Sequence, residues 1–303
     1  MEKTRGGILN RFLYSKRIAP YVFVLPFIIV FLMFFLYPLI STVIMSFQNV
    51  QPAGGSQFIG LKNYKDLLNV HFYTALWNSA RYTFWTLLIL VPIPIVLAVF
   101  LNSKKLVGKK FFRAALFMPT LTSVVVAGIV FRLIFGETAA APFNTLMAMF
   151  GVGAKAWLRD SRYSMTLMVA LATWTWMGIN IIYYLSGLQN IPQELYESAQ
   201  IDGAGPISRF LYITIPMLRP VIIYVLTISV YGGFAMFTQS YVFWSNHSPS
   251  DAGLTIVGYL YQQGFETSNM GLASAIGIVL LAIVLIINLI QLKFFGLFKK
   301  EDE

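Results

Sequence analysis

The sequence has no cysteine and very little charge. Without cysteine the chain has no disulfide, no thiolate metal site and no cysteine nucleophile. Only 11% of its 303 residues are Asp, Glu, Lys or Arg, against about 25% in ordinary soluble domains. Hydrophobic residues make up 57% of the chain. This composition excludes a water-soluble globular domain and indicates a membrane protein.

Long stretches without any charged residue divide the chain. Six of them reach about 18 residues, which is enough for a helix to cross a bilayer. The first is too long for one helix, and its polar second half limits the predicted helix to about 21–47. Proline and glycine interrupt a seventh stretch, 138–154, which we interpret as interfacial or re-entrant. The sequence predicts an all-α polytopic membrane protein with six transmembrane helices, from the windows 18–61, 82–103, 114–131, 163–193, 221–250 and 267–292.

Basic residues predict the orientation of these helices. They concentrate before the first span, after the second and fourth spans, and at the C-terminal end, so those segments and both termini are expected to be cytoplasmic. The net charge of +10 then reports orientation, and no nucleic-acid partner is expected. The predicted division is a cytoplasmic tail 1–17, a first helix with its outer loop 18–79, a five-helix core 80–298 containing a loop 190–216, and a cytoplasmic tail 299–303.

The predicted spans contain no acidic, basic or histidine side chain at membrane depth. Ion-coupled transporters generally need such residues, so the absence favours a neutral solute and an external source of energy, although cation sites built from carbonyls and hydroxyls stay open. It also argues against an enzyme. The chain contains no Gly-Lys-Ser or Gly-Lys-Thr phosphate loop, so ATP binding belongs to a partner.

The loop between spans four and five has a pattern typical of two short helices. Pro192 is suited to open the first helix, and Glu194 suits the positive end of its dipole. Gly203 can supply the positive φ that ends it. Pro206 can then open a second helix through about Tyr212. We therefore expect a helix, a tight turn and a second helix at the cytoplasmic surface.

This loop resembles the EAA loop of the membrane subunits of ATP-binding-cassette importers, in which Glu-Ala-Ala precedes Asp-Gly-Ala, an aromatic residue and two prolines. Ser198 stands where the family usually has alanine. Two further phrases resemble carbohydrate-importer permeases of the first-permease, maltose-transporter-like type. They are Ile191-Pro192-x-Glu194-Leu195-Tyr196 in the loop, and Phe58-Ile59-Gly60-Leu61-x-Asn63-Tyr64 with Ala75-Leu76-x-Asn78-Ser79 in the predicted first outer loop. The EAA residues here are Glu197-Ser198-Ala199, Asp202-Gly203-Ala204, Phe210, Pro216 and Pro220.

The resemblance implies a non-catalytic half-channel in a bacterial or archaeal cell membrane, surrounded by lipid and paired with a second permease. An extracytoplasmic binding protein would deliver a sugar or oligosaccharide. A cytoplasmic ATPase dimer would hold the ATP and magnesium, with no cofactor or metal in this chain. The loop helix would contact the ATPase; the plainer alternative is a helix that only caps the bundle. The coupling residues implied are Glu194, Glu197, Ser198, Ala199, Asp202, Gly203 and Ala204.

Aromatic and amide side chains in spans four and five are candidates for the solute pathway. Sugars stack on aromatic rings and need hydrogen-bond partners in place of water. Asn180 and Gln239 are unsuited to face lipid, so they either join helices or line a polar path. Gly232 and Gly233 allow close packing, a kink or a gate. The candidates are Trp176, Asn180, Tyr183, Tyr231, Phe234 and Gln239. A stand-alone secondary transporter or channel for a neutral solute is the alternative function.

Overall fold

The computed structural model describes residues 18–50, 54–103, 106–245 and 247–296. Within these ranges the chain is helical apart from its loops and one antiparallel hairpin, in which Gln48–Val50 (β1) pairs with Ser56–Phe58 (β2). The predicted all-α fold is confirmed. The two predicted cytoplasmic tails, 1–17 and 299–303, lie outside the described residues.

Five of the described helices are long and apolar enough to cross a membrane, and a bent pair makes a sixth if it is one span. Two of them contain local changes of geometry. The helix Ala19–Ser46 has a π-helical stretch at Leu32–Leu36, and the helix Val70–Asn102 has a turn at Val91. The spanning helices are α1 Ala19–Ser46, α3 Val70–Asn102, the pair α4 Lys109–Leu121 and α5 Val124–Ile134, α7 Ser161–Gln189, α10 Arg219–Phe234 continued by α11 Thr238–Trp244, and α13 Met270–Phe294.

Shorter helices connect these spans. The stretch 138–154, predicted as interfacial or re-entrant, contains the helix Pro142–Ala148. Its seven residues extend only about 10 Å, which is too short to cross a bilayer. The remaining helical segments are α2 Lys62–Asp66, α6 Pro142–Ala148, α8 Gln193–Ile201, α9 (206–217, formed by Pro206–Arg209, Phe210–Thr214 and Ile215–Met217), a turn at Pro249–Asp251, and α12 Ile256–Tyr261 with Gln262–Glu266.

The third predicted span is not one straight helix. Its two halves, α4 and α5, meet at 98°. Pro119 has no N–H to donate in the last turn of α4, and the next residues are extended, with ψ of 136° at Thr122 and 131° at Ser123. The span predicted over 114–131 is therefore divided between two helices.

The second span begins earlier than its uncharged window. Asn69 caps the first turn of α3 through its side chain, so the segment 75–79, predicted as outer loop, is helical. Asn78 in this segment donates to the carbonyl of Leu254 at 3.0 Å. Helix α3 also runs through the boundary that we predicted between 79 and 80. The extra turns serve to join the helix to the loop before α12.

The first helix is the least buried of the spans. It contains no buried residue over Ala19–Phe31, and it meets α13 through its C-terminal half. There, the Asn63 amide donates to the carbonyls of Ser46 at 2.9 Å and Gln48 at 3.0 Å. Gly271 of α13 lies so close that a methyl group would stand 2.1 Å from the Gln48 oxygen. The uncovered apolar face of α1 is suited to lipid.

The helices alternate in direction when the bent pair is taken as one span. One side of the bundle then carries residues 103 and 106–108, the loop 190–218 and the end of α13; we call it the basic side. Lys109 Nζ donates there to the carbonyl of Asn102 at 3.3 Å, and the Arg219 guanidinium donates to the carbonyl of Phe295. On the opposite side, His71 Nδ1 lies 2.6 Å from Asp251 Oδ2. These contacts hold each set of loops together.

Candidate functional site

A cavity of about 380 Å³ lies among α3, α5, α7, α10 and α11. Its lining is aromatic, aliphatic and neutral polar, with no charged side chain among the described lining residues. Such a surface suits an uncharged solute with apolar faces and hydroxyl groups. Its polar and aromatic members are Tyr82, Thr86, Trp176, Asn180, Tyr183, Ser229, Phe237, Thr238 and Gln239.

Four of the six residues predicted for the solute pathway line this cavity: Trp176, Asn180, Tyr183 and Gln239. The other two do not. Tyr231 is 64% exposed, on a different face of α10, because neighbouring positions on a helix point in different directions. Phe234 is 5% exposed and belongs to a core cluster with residues of α3, α12 and α13.

Sequence reasoning missed Tyr82 and Thr86, which line the cavity from α3. The two residues are four apart and therefore share one face of the helix. Thr86 donates to the carbonyls of Tyr82 at 2.8 Å and Thr83 at 3.0 Å. Polar side chains at this spacing within an apolar span were the available signal.

Asn180 both joins helices and lines the cavity. Its amide Nδ2 donates to the carbonyl of Leu90 at 2.9 Å. That carbonyl lacks its usual partner in the helix because Pro94, four residues later, has no N–H. An unsatisfied carbonyl in hydrocarbon is costly, so Asn180 stabilises the turn between the two halves of α3. The two roles that the sequence left open are therefore compatible.

The glycine pair of α10 has two different environments. A methyl group on Gly233 would lie 2.5 Å from Thr83 Oγ1 and 2.9 Å from its Cβ. A methyl group on Gly232 would meet nothing within 4 Å. Both glycines line the cavity, but Gly233 is a point of close packing between α10 and α3, whereas Gly232 has open space beside it.

The loop on the basic side forms the predicted helix, turn and helix. Helix α8 begins after Pro192, and Gly203 ends it with φ of +79°. The N–H of Ala204 donates to the carbonyl of Ala199 at 2.8 Å, as in a Schellman turn. Helix α9 extends to Met217, beyond the predicted end near Tyr212. A proline inside a helix usually interrupts it. Here Pro216 lies in the first turn of a new helical segment, which follows the π-helical stretch, and in a first turn its missing N–H is not needed. The sequence alone therefore did not indicate that the helix continues to Met217.

One contact fixes the two helices of the loop relative to each other. The hydroxyls of Tyr196 in α8 and Thr214 in α9 lie 2.9 Å apart. The remaining face of α8 is open. Of the residues predicted to contact the ATPase, Ala199 and Ala204 are half-buried, and the exposed ones are Glu194, Glu197, Ser198, Asp202 and Gly203.

Apolar side chains beside these residues are also uncovered. Ile201 is 87% exposed, Ile207 75% and Tyr212 78%. Sequence reasoning did not include them, although isoleucine and tyrosine in a polar loop were the available signal. Large exposed apolar side chains grouped with charges are typical of a surface that binds another protein.

On the opposite side, Asp160 caps α7. Its carboxylate accepts from the backbone N–H of Arg162 at 3.0 Å, and Arg162 Nη2 lies 2.6 Å from Asp160 Oδ2. The hydrogen bond from the Arg162 side chain lowers the pKa of the Asp160 carboxyl below its ordinary value. The interaction is exposed to solvent, and it marks the start of the span.

A bundle of apolar helices around an uncharged cavity, with an exposed helical loop on its basic side, defines a polytopic membrane permease. Residues 90–295 match the family described as "Binding-protein-dependent transport system inner membrane component". The chain belongs to this family, and it is a permease subunit of an ATP-binding-cassette transport system. The predicted family resemblance is confirmed.

Two relatives are similar over nearly their whole length. The chain is 56% identical over 288 residues, 95% of this chain and 92% of the relative, to the arabinooligosaccharides transport system permease protein AraP of Bacillus subtilis (strain 168). It is 49% identical over 299 residues, 99% of this chain and 94% of the relative, to the protein of the same name from Halalkalibacterium halodurans.

A solved structure shares the fold. It is a chain of a bacterial ABC transporter involved in the import of the acidic polysaccharide alginate, with a TM-score of 0.81 and 24% identity, covering 93% of this chain and 96% of that one. At this identity the likeness shows the fold alone.

Proposed function

We propose that this chain is the membrane permease for an arabinose-containing oligosaccharide, delivered by an extracytoplasmic binding protein. The observation that carries the proposal is the identity of 56% along 95% of the chain to an arabinooligosaccharide permease. The uncharged cavity supports it, since aromatic rings and side-chain amides are the groups that bind neutral sugars.

The partners in this proposal are a second permease, a cytoplasmic ATPase dimer and the binding protein. The ATPase dimer holds the ATP and magnesium. The basic side of the bundle faces the cytoplasm of a bacterial or archaeal cell, and both termini lie there, in accord with the distribution of lysine and arginine.

In this proposal helix α8 docks on the ATPase. Its charged residues Glu194, Glu197 and Asp202 are exposed, so they are free to pair with basic groups of a partner. The exposed Ile201 and Ile207 supply the apolar part of the contact. The hydroxyl contact between Tyr196 and Thr214 makes the two helices move together, which is what a mechanical joint requires.

Reconstitution tests the transport function. The complete complex in proteoliposomes, with ATP inside, should take up arabinotriose when the loaded binding protein is added outside. ATP hydrolysis should be stimulated more by this sugar than by maltotriose or lactose. Uptake by this chain alone, without ATP or partners, would instead establish the stand-alone transporter or channel.

A pair of aromatic substitutions tests the cavity. Trp176→Ala removes a ring that lines it, and a lost stacking contact of about 1 kcal/mol weakens apparent sugar affinity about fivefold. Tyr231→Ala is the control, because Tyr231 is a more exposed ring outside the cavity. Equal transport by both variants would remove Trp176 from the solute pathway.

Charge reversal tests the coupling loop. Glu197→Lys should reduce sugar-stimulated ATP hydrolysis and uptake while leaving the assembled bundle folded. Glu137→Lys makes the same change of charge on the opposite side, where Glu137 forms an exposed ion pair with Arg159 at 3.2 Å, and should transport normally. Normal transport by Glu197→Lys would argue that α8 merely caps the bundle.

A further inference from the structure

A second cavity lies on the basic side, and it shares no lining residue with the first. Its volume is about 470 Å³, and it is bounded by α4, the last turn of α3 and the last third of α7. Most of its wall is aliphatic or aromatic, including Leu101, Phe117, Ile182 and Leu185. Among the described lining residues, Arg113 is the charged one.

The Arg113 guanidinium lacks a full set of hydrogen-bond partners. Its Nη2 lies 3.5 Å from the carbonyl of Leu101, one of the last carbonyls of α3. Its buried Nε has no hydrogen-bond acceptor within the described part of the chain. Lys109 points at the same helix end, with Nζ 3.3 Å from the Asn102 carbonyl. Capping the negative end of the α3 dipole accounts for one contact of each cation, and within the described residues neither cation is paired with a carboxylate.

Helix α4 has the character of a helix that lies in a membrane interface. It begins with two lysines and exposes Phe111 at 72% and Phe112 at 46%. Basic and aromatic side chains together are typical of such helices, and the 98° bend to α5 lets α4 run in a different direction from the rest of the span. This character suits a position of the cavity behind α4 at the level of the lipid headgroups.

We propose that this cavity binds an anionic phospholipid. The phosphate accepts from Arg113 in the wall and is attracted by Lys109, which lies outside the wall at the same end of α3. An acyl chain lies along Phe117, Ile182 and Leu185. An apolar pocket with a basic rim between transmembrane helices is the arrangement that anionic headgroups favour. A free phosphate ion would satisfy the same cations but would leave the apolar wall unoccupied.

The test uses the complete transporter complex in nanodiscs of phosphatidylcholine with a minor fraction of phosphatidylglycerol. The nanodiscs are then dissolved in detergent, and the detergent is exchanged repeatedly to remove loosely held lipid. The phosphatidylglycerol retained per complex is counted by mass spectrometry. Arg113→Gln should retain about tenfold less, since it loses hydrogen bonds to a charged group. Ala114→Phe, which keeps the charge and fills the cavity, should have the same effect, and Ile182→Phe replaces it if that variant does not assemble.

The control is Lys110→Gln, which removes the same charge from an exposed residue of α4 outside the cavity wall and should retain as much lipid as the unaltered complex. An equal loss in Lys110→Gln would overturn the proposal in favour of general surface attraction. Full retention by Arg113→Gln or by the filled cavity would also overturn it. Displacement of the lipid by inorganic phosphate would reassign the site to a free anion, whereas failure of phosphate to compete supports the lipid.

Discussion

An added methyl group at Gly233 should push α10 away from α3. The new carbon would lie 2.5 Å from Thr83 Oγ1 and 2.9 Å from both Cβ and Cγ2 of that residue, closer than carbon and oxygen atoms can approach. Thr83 cannot simply rotate away without a cost, because its hydroxyl donates to the carbonyl of Ser79 at 2.8 Å. One of the helices must therefore shift.

The size of the effect follows from two opposing terms. Overpacking costs about 1–3 kcal/mol, while alanine gains about 0.5–1 kcal/mol over glycine in a helix. Gly233→Ala should therefore be net destabilising, by up to about 2.5 kcal/mol. Gly232→Ala is a matched control one residue away, with open space at its methyl position, and it should be stabilising by about 0.5–1 kcal/mol.

Thermal unfolding of the complex in nanodiscs, followed by tryptophan fluorescence, separates these two variants. The Gly233→Ala midpoint should fall below that of the unaltered complex, and the Gly232→Ala midpoint should equal or exceed it. Adding Thr83→Ala to Gly233→Ala removes two of the three close atoms and should restore part of the loss. A Gly233→Ala midpoint at or above that of Gly232→Ala would refute the close approach of α10 to α3.

Three further predictions concern orientation, an outer loop and the coupling turn. Because the chain has no cysteine, Val107→Cys should react with an impermeant maleimide only from the cytoplasmic side and Met149→Cys only from outside; the reverse pattern would contradict the proposed orientation. Asn144→Ala strands the Trp157 Nε1 donor, now 2.7 Å from Asn144 Oδ1, so it should speed proteolysis of the loop 136–157, while exposed Thr145→Ala should not. Gly203→Val places a branched residue at φ of +79°, at a cost of about 1–2 kcal/mol, and should lower ATP-driven uptake; unchanged uptake would contradict the role of the turn.

Local chemistry was sufficient to predict several features. The bilayer forces each span to be apolar and helical, so uncharged windows located all the spans to within a few turns. The turn after α8 was equally predictable from the sequence, since Gly203 is the residue that adopts a positive φ without strain and Pro192 suits the start of a helix. The spans and this turn were predictable because each depends only on one segment of the chain and on the solvent around it.

Hydropathy contains no information about where an apolar helix breaks. The window 114–131 is uninterrupted by charge, yet Pro119 and the extended Thr122 divide it into two helices at 98°. Likewise, the uncharged window of the second span starts at 82, directly after Arg81. The helix itself begins at Val70, next to its Asn69 cap.

The sequence by itself determined that this chain is a membrane permease with uncharged windows in its spans and a helical loop between the fourth and fifth spans, because those properties follow from the solvent and from a contiguous motif. The tertiary structure decided which residues share the cavity. Asn180 reaches it beside the Leu90 carbonyl that Pro94 leaves free, and Tyr231 and Phe234 face elsewhere. That choice depends on the rotation of each helix about its axis, which is set by contacts such as Gly233 with Thr83 between residues far apart in the chain.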